Sequence, residues 1–233
     1  MLKATTFFFR VDLTIGKFIF FLRVLLKARW RFIMKEKESF FSAKRLTGLA
    51  ILLALVIVLQ VWGGSIKIGT TPLSFVLVPI VVGGMLYGVA AGAFLGLAFG
   101  VVVLIYGITG ADPFTAILFN DHPFWTAVLC LGKGAAAGAA AGLVFCLMKK
   151  KNAYVGTFLA AATAPVVNTG LFILGALAFL KDTLQANFVS GTSVVYFLII
   201  GCAGVNFLVE FAINLVCAPS LYTAVRVVGK GKI

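Results

Sequence analysis

The sequence predicts an all-α membrane protein, a bundle of six transmembrane helices with both termini cytoplasmic, and three observations carry that reading. The chain of 233 residues is 62% hydrophobic and only 12% charged, and its mean hydropathy of +1.12 represents more apolar surface than a water-soluble domain can hide. The apolar residues come in unbroken runs, unlike the alternating ten-residue segments of a membrane β-barrel. The basic residues cluster between those runs on one side, as they do when loops are sorted across a bilayer.

Residues 1–43 read as a basic amphipathic extension. Eleven of the twenty Lys and Arg residues fall within the first 45, interleaved with Phe and Leu (FFFRVDLTIGKFIFFLRVLLKARWRF). The stretch from Leu13 to Ile33 suits a helix lying on the inner membrane surface. Charges interrupt its apolar part and no small-residue cleavage site follows, so a secretory signal fits poorly. Met34 is an alternative start of translation. The membrane domain is expected over 44–225, followed by a basic cytoplasmic tail, 226–233.

The first span is expected from Lys44 to Trp62, with Lys44 and Arg45 anchoring one end and Trp62 at the other interface. Ala50 and Ala54 form a small-xxx-small pair on one face. A loop follows, Gly63 to Pro72. The next 36 residues, Leu73 to Ile108, carry no charge. As one helix they would extend about 54 Å, nearly twice the hydrocarbon thickness, so the chain must turn back. The turn is expected at Met85-Leu86-Tyr87-Gly88, between helices over 72–87 and 89–108. Pro79 should kink or shorten the first, and Gly92, Gly96 and Gly100 give the second a close-packing ridge.

Residues 109–124 are expected to be a loop, either a lid over a pocket or an interfacial turn anchored by Phe114, Phe119, Phe124 and Trp125. Asp121 and His122 are adjacent and lack further ligands nearby, so no metal site is expected. Thr126 to Met148 is the run on which the chain turns. Lys133 sits seven residues inside it, where an ammonium costs on the order of 3 kcal/mol unless it reaches water or a partner. Gly134, Gly138 and Gly142 form a second small ridge behind it. The fifth span, Tyr154 to Leu180, contains Pro165 and Asn168, expected to make a polar break. After a loop over 181–192, the last span, Ser193 to Tyr222, carries Asn206, Glu210 and Asn214 on one inward face.

Seventeen basic residues fall on one side of this topology and two, Lys67 and Lys181, on the other. The net charge of +13 therefore reports orientation, and nucleic-acid binding is not implied. Cys130, Cys146, Cys202 and Cys217 all lie in apolar runs and read as small packing residues. No phosphate-binding GxxxxGK[ST] loop is present, so the chain does not itself hydrolyse ATP. No nucleophile–base pair stands out, so the chain does not read as an enzyme, and neither catalytic residues nor a cofactor is expected.

Lys133, Asn168, Asn206 and Glu210 are the candidates for one outward-opening polar cavity, with Lys133 about 10 Å and Asn168 about 18 Å deep. Lys133 either pairs with Glu210 or holds an anionic group of a ligand. Trp62 and Trp125 are candidate stacking partners for a flat ligand. The competing reading makes the polar residues hydrogen-bonding groups between helices, with no ligand.

Five segments resemble the substrate-binding S component of energy-coupling-factor (ECF) vitamin transporters: Ala50-x-x-x-Ala54, Ser74 to Gly100, LGKGAAAG around Lys133, APVVNTGLF around Asn168, and the closing NFLVEFAIN. The resemblance covers residues 44–225. It implies a six-helix bundle in the bacterial plasma membrane that binds a vitamin or precursor near the extracellular face. It implies docking, through Ala50 and Ala54, on a membrane coupling protein served by two cytoplasmic ATPases. The loop from Gly63 to Thr71 would close the site, and substrate would move by toppling of the bundle. A buried cation with amides suits a small carboxylate, which points to pantothenate. The alternative is a stand-alone secondary transporter or a membrane assembly protein; a secondary transporter would show matched broken helices in two halves, and only one break is legible.

Overall fold

The computed structural model describes residues 43–63, 67–68, 71–72, 75–189, 193–202 and 204–228. The surface helix expected over Leu13–Ile33, the Met34 start and most of the tail lie outside the described residues. The helices, in order, are α1 (Ala43–Gly63), α2 (Leu77–Tyr87), α3 (Val89–Thr109), α4 (Pro113–Asp121), α5 (Pro123–Met148), α6 (Ala153–Phe179), α7 (Lys181–Phe188), α8 (Val194–Tyr196), a π-helical stretch (Phe197–Cys202) and α9 (Gly204–Val228). Between α1 and α2, Lys67–Ile68 pairs antiparallel with Thr71–Pro72. Among the described residues, five helices are long and apolar enough to cross a membrane: Arg45–Gly63, α3, α5, α6 and the run Val194–Val228.

The sixth expected span is shorter than its apolar sequence suggests. α2 has 11 residues, about 16 Å of rise, roughly half the hydrocarbon thickness. Pro79 is its third residue, and proline lacks the N–H that a turn further inside a helix would need. The turn after α2 falls where the charge-free length required it. Gly88 sits at φ 93°, ψ 177°, a region that side chains other than glycine's strongly resist.

The two glycine ridges meet each other. A Cβ on Gly96 would run into the Gly134 carbonyl, one on Gly138 into the Gly92 carbonyl, and one on Gly100 into that of Cys130. Gly142 lies against α2, where a Cβ on Gly84 would stand 3.1 Å from the Gly142 Cα. α3 and α5 thus touch backbone to backbone, the most extensive helix pairing among the described residues. α1 attaches differently. Leu49, Val56 and Gln60 are buried on one of its faces, with the hydroxyl end of Tyr87 against Gly48. Its other side, including Ile51, Leu55, Val58 and Trp62, is exposed.

Both segments expected as loops at the far end contain helices. Asp112 caps α4, accepting hydrogen bonds from the Thr115 N–H at 3.4 Å and the Thr115 hydroxyl at 2.5 Å, with Pro113 in the first turn. Thr126 at the start of α5 donates to the Leu118 carbonyl at 2.8 Å. Phe114 and Leu118 of α4, Leu180, Leu184 of α7, Val194 and Leu198 bury together as a second small core. Removing the cap should therefore loosen this end: Asp112→Ala is expected to cost about 1 kcal/mol, read as a lowered melting temperature of the purified protein in detergent.

Two expectations about the long helices need correction. α6 runs unbroken through Pro165, which is buried. Membrane helices tolerate such prolines because neighbouring groups and local adjustments satisfy the freed carbonyl. The last span is not one regular helix but passes through the π-helical stretch before α9. Gly201 lies within that stretch and Gly204 begins α9, and closely spaced glycines are where helices deform at least cost.

Candidate functional site

Lys133 stands ten residues into α5, roughly 15 Å along the axis, on the side of the helix away from the glycine ridge. That side faces α6. The register of the pair is fixed near the Lys149–Asn152 turn, where Gly156 lies on Met148, and at the other end, where Gly175 lies on Leu129. Antiparallel packing in that register brings Lys133 beside Leu171 and Phe172. The Lys133 ammonium lies 4.9 Å from the centre of the Phe172 ring, within the range of a cation–π contact. Phe172 is in turn held by Phe114 of α4, ring centres 6.1 Å apart, and Phe114 by Phe188 of α7 at 5.0 Å. The two short helices thereby position the ring on which the cation rests.

Next to Lys133 is a cavity of about 420 Å³ between α5 and α6, within the size range of small-molecule sites. Its walls are Leu129, Leu171, Leu174 and Ala178, and Gly132 and Gly175 also line it. At its rim Trp125 and Phe179 stack face to face, ring centres 3.8 Å apart and planes within 5°. Trp125, Val128, Leu171, Leu174 and Phe179 are all exposed, so the cavity is a groove open along the outer side of the α5–α6 pair. Lys133 is its one charged lining residue, and the others are apolar apart from the Trp125 indole N–H. Chemically this is an oily slot with a single fixed cation, a place for an anion whose charge would otherwise be costly at that depth.

Of the six residues singled out from the sequence as ligand contacts, the structure brings two, Lys133 and Trp125, into this cavity. Asn168 lies one turn from Phe172 toward the start of α6, roughly 6 Å along the axis. It is buried, with no hydrogen-bond partner on its Oδ1, and is not a lining residue. Glu210 and Asn214 are buried on α9, where the Asn214 amide donates to the Glu210 backbone carbonyl at 2.8 Å. Asn206 is half-buried one turn earlier. Trp62 lies on α1 beside Phe75, ring centres 6.1 Å apart, and is exposed. Ala50 and Ala54 are both exposed on α1.

Sequence reasoning missed Phe172, Leu129, Leu171, Leu174, Gly175 and Phe179. Nothing in their chemistry distinguishes them in so apolar a chain. The one usable signal was register, since a short turn between α5 and α6 forces residues equidistant from it to meet.

A search against curated proteins returns no match. A family model does match: that of the ECF transporter, substrate-specific component, over residues 44–222. The match spans all five membrane-capable helices up to Tyr222 and includes both glycine ridges, the Lys133 cavity and the polar face of α9. Chains of this kind are transport-related binding subunits that work with an ECF module, not enzymes. This multi-pass membrane protein belongs to the family of ECF transporter substrate-specific components.

Proposed function

We propose that this chain captures a vitamin or vitamin precursor from outside the bacterial plasma membrane, in the cavity between α5 and α6. The observation that carries the reading is the Lys133 ammonium in an apolar slot on a chain of this family. With both termini cytoplasmic, as the basic residues require, the cavity lies toward the outer face. A membrane coupling protein docks on α1 at Ala50 and Ala54, and two cytoplasmic ATPases supply the energy. Asn168, Asn206 and Glu210 serve the same uptake from deeper in the bundle. Pantothenate, the carboxylate to which the sequence pointed, is the reference compound to test.

Lys133→Ala should weaken ligand binding at least tenfold, about 1.4 kcal/mol, measured on the purified protein with whatever molecule mass spectrometry finds retained on it. Affinity purification from native membranes should recover a coupling protein and ATPases with the chain. Recovery of the chain alone, from cells in which it still supports uptake, would overturn the assignment to a shared transport complex.

A further inference from the structure

We infer that the α5–α6 cavity selects a monoanion with an apolar body, not a polyhydroxylated or amide-rich acid. The inference rests on the proposed capture site and narrows its ligand. Three features of the cavity lead to it. First, Lys133 is its one charged lining residue, and no lining residue offers a carboxylate; the nearby buried carboxylate of Asp112 lies outside the lining, on the cap of α4. The ammonium has three N–H donors. One face of it can stay on the Phe172 ring, 4.9 Å away, while the remaining donors turn to a carboxylate.

Second, the remaining lining residues, including Leu129, Leu171, Leu174 and Phe179, present no side-chain hydrogen-bonding group except the indole N–H of Trp125. A hydroxyl or amide carried into that slot gives up its water and finds at most that one indole donor in return, a costly outcome for a polar group. An alkyl chain or aromatic ring loses nothing and buries apolar surface. Third, the parallel Trp125–Phe179 pair at the rim is a flat apolar surface against which such a body lies. Asn168, which would favour a polar ligand, is buried outside the lining.

The test uses the full chain in phosphatidylcholine nanodiscs and isothermal titration calorimetry with three probes: 4-phenylbutyrate, its neutral amide, and pantothenate. The acid should bind at least tenfold more tightly than its amide and more tightly than pantothenate. Lys133→Met should erase the preference of acid over amide, and Lys133→Arg should keep it. Equal affinities for acid and amide, no binding of the acid, a preference that survives Lys133→Met, or pantothenate outranking the apolar acid would each overturn the inference. A second arm adds phosphatidylglycerol to the discs. Unchanged acid binding supports a free ligand, whereas its loss would assign the cavity to an anionic lipid headgroup and overturn it. Copurification with ATPases is independent of all these readings, so the ligand class can fail while the transport reading stands.

Discussion

Replacing Gly96 with leucine should leave little folded protein in the membrane, the largest effect expected of any single change in the bundle. A Cβ at Gly96 already meets the Gly134 carbonyl, and Ala135 N at 3.1 Å. These are backbone atoms, which cannot swing aside as a side chain does. Overpacking a well-filled interface costs about 1–3 kcal/mol and occasionally more, and here α3 and α5 would have to separate along their whole contact. Even Gly96→Ala should destabilise by about 1–3 kcal/mol, although alanine is the better helix former by about 1 kcal/mol. Gly170→Ala is the matched control, because a Cβ there meets nothing within 4 Å; it should be neutral or stabilising. The readouts are folded yield by size exclusion and the melting temperature in detergent. Equal melting temperatures for Gly96→Ala and Gly170→Ala would show that the two backbones do not touch.

The second large effect is on transport without an effect on capture. Ala50→Trp should reduce uptake in cells to background while the purified variant retains its ligand. Ala50 and Ala54 are exposed on α1, away from the buried face that carries Leu49, Val56 and Gln60. An indole there therefore leaves the internal packing alone and fills the space that a partner helix backbone would need. Val101→Trp, on the exposed side of α3, should leave uptake intact and controls for a bulky ring facing lipid. Normal uptake by Ala50→Trp would remove α1 from the docking surface. Loss of ligand together with uptake would show that the substitution had damaged the bundle instead.

Much of this architecture was legible before any coordinates. Charge-free length alone required a turn near Gly88, and four-residue spacing alone identified both glycine ridges, because those features depend only on local geometry. Which ridge meets which was not legible, since pairing is a tertiary property. The helicity of α4 and α7 escaped notice for a related reason. Their residues are mixed and short-range signals favour loops, while Phe114, Leu118 and Leu184 become helical by burying together. α2 read too long because hydropathy counts apolar residues without knowing where the backbone starts to coil. At the site, Lys133 and Trp125 stood out by chemistry, whereas leucines lining a slot look like leucines lining anything else.

The contact of α3 on α5 has a mechanical consequence. Where two main chains abut through glycines, there are no rotamers to flip and no wedge of lipid to admit, so the pair behaves as a stiff spine. Any rearrangement that frees cargo must then hinge elsewhere, along seams built from large movable side chains such as the Tyr154–Tyr222 edge-to-face pair between α6 and α9. A molecule with such a spine can reorient as a solid piece while its far seams yield.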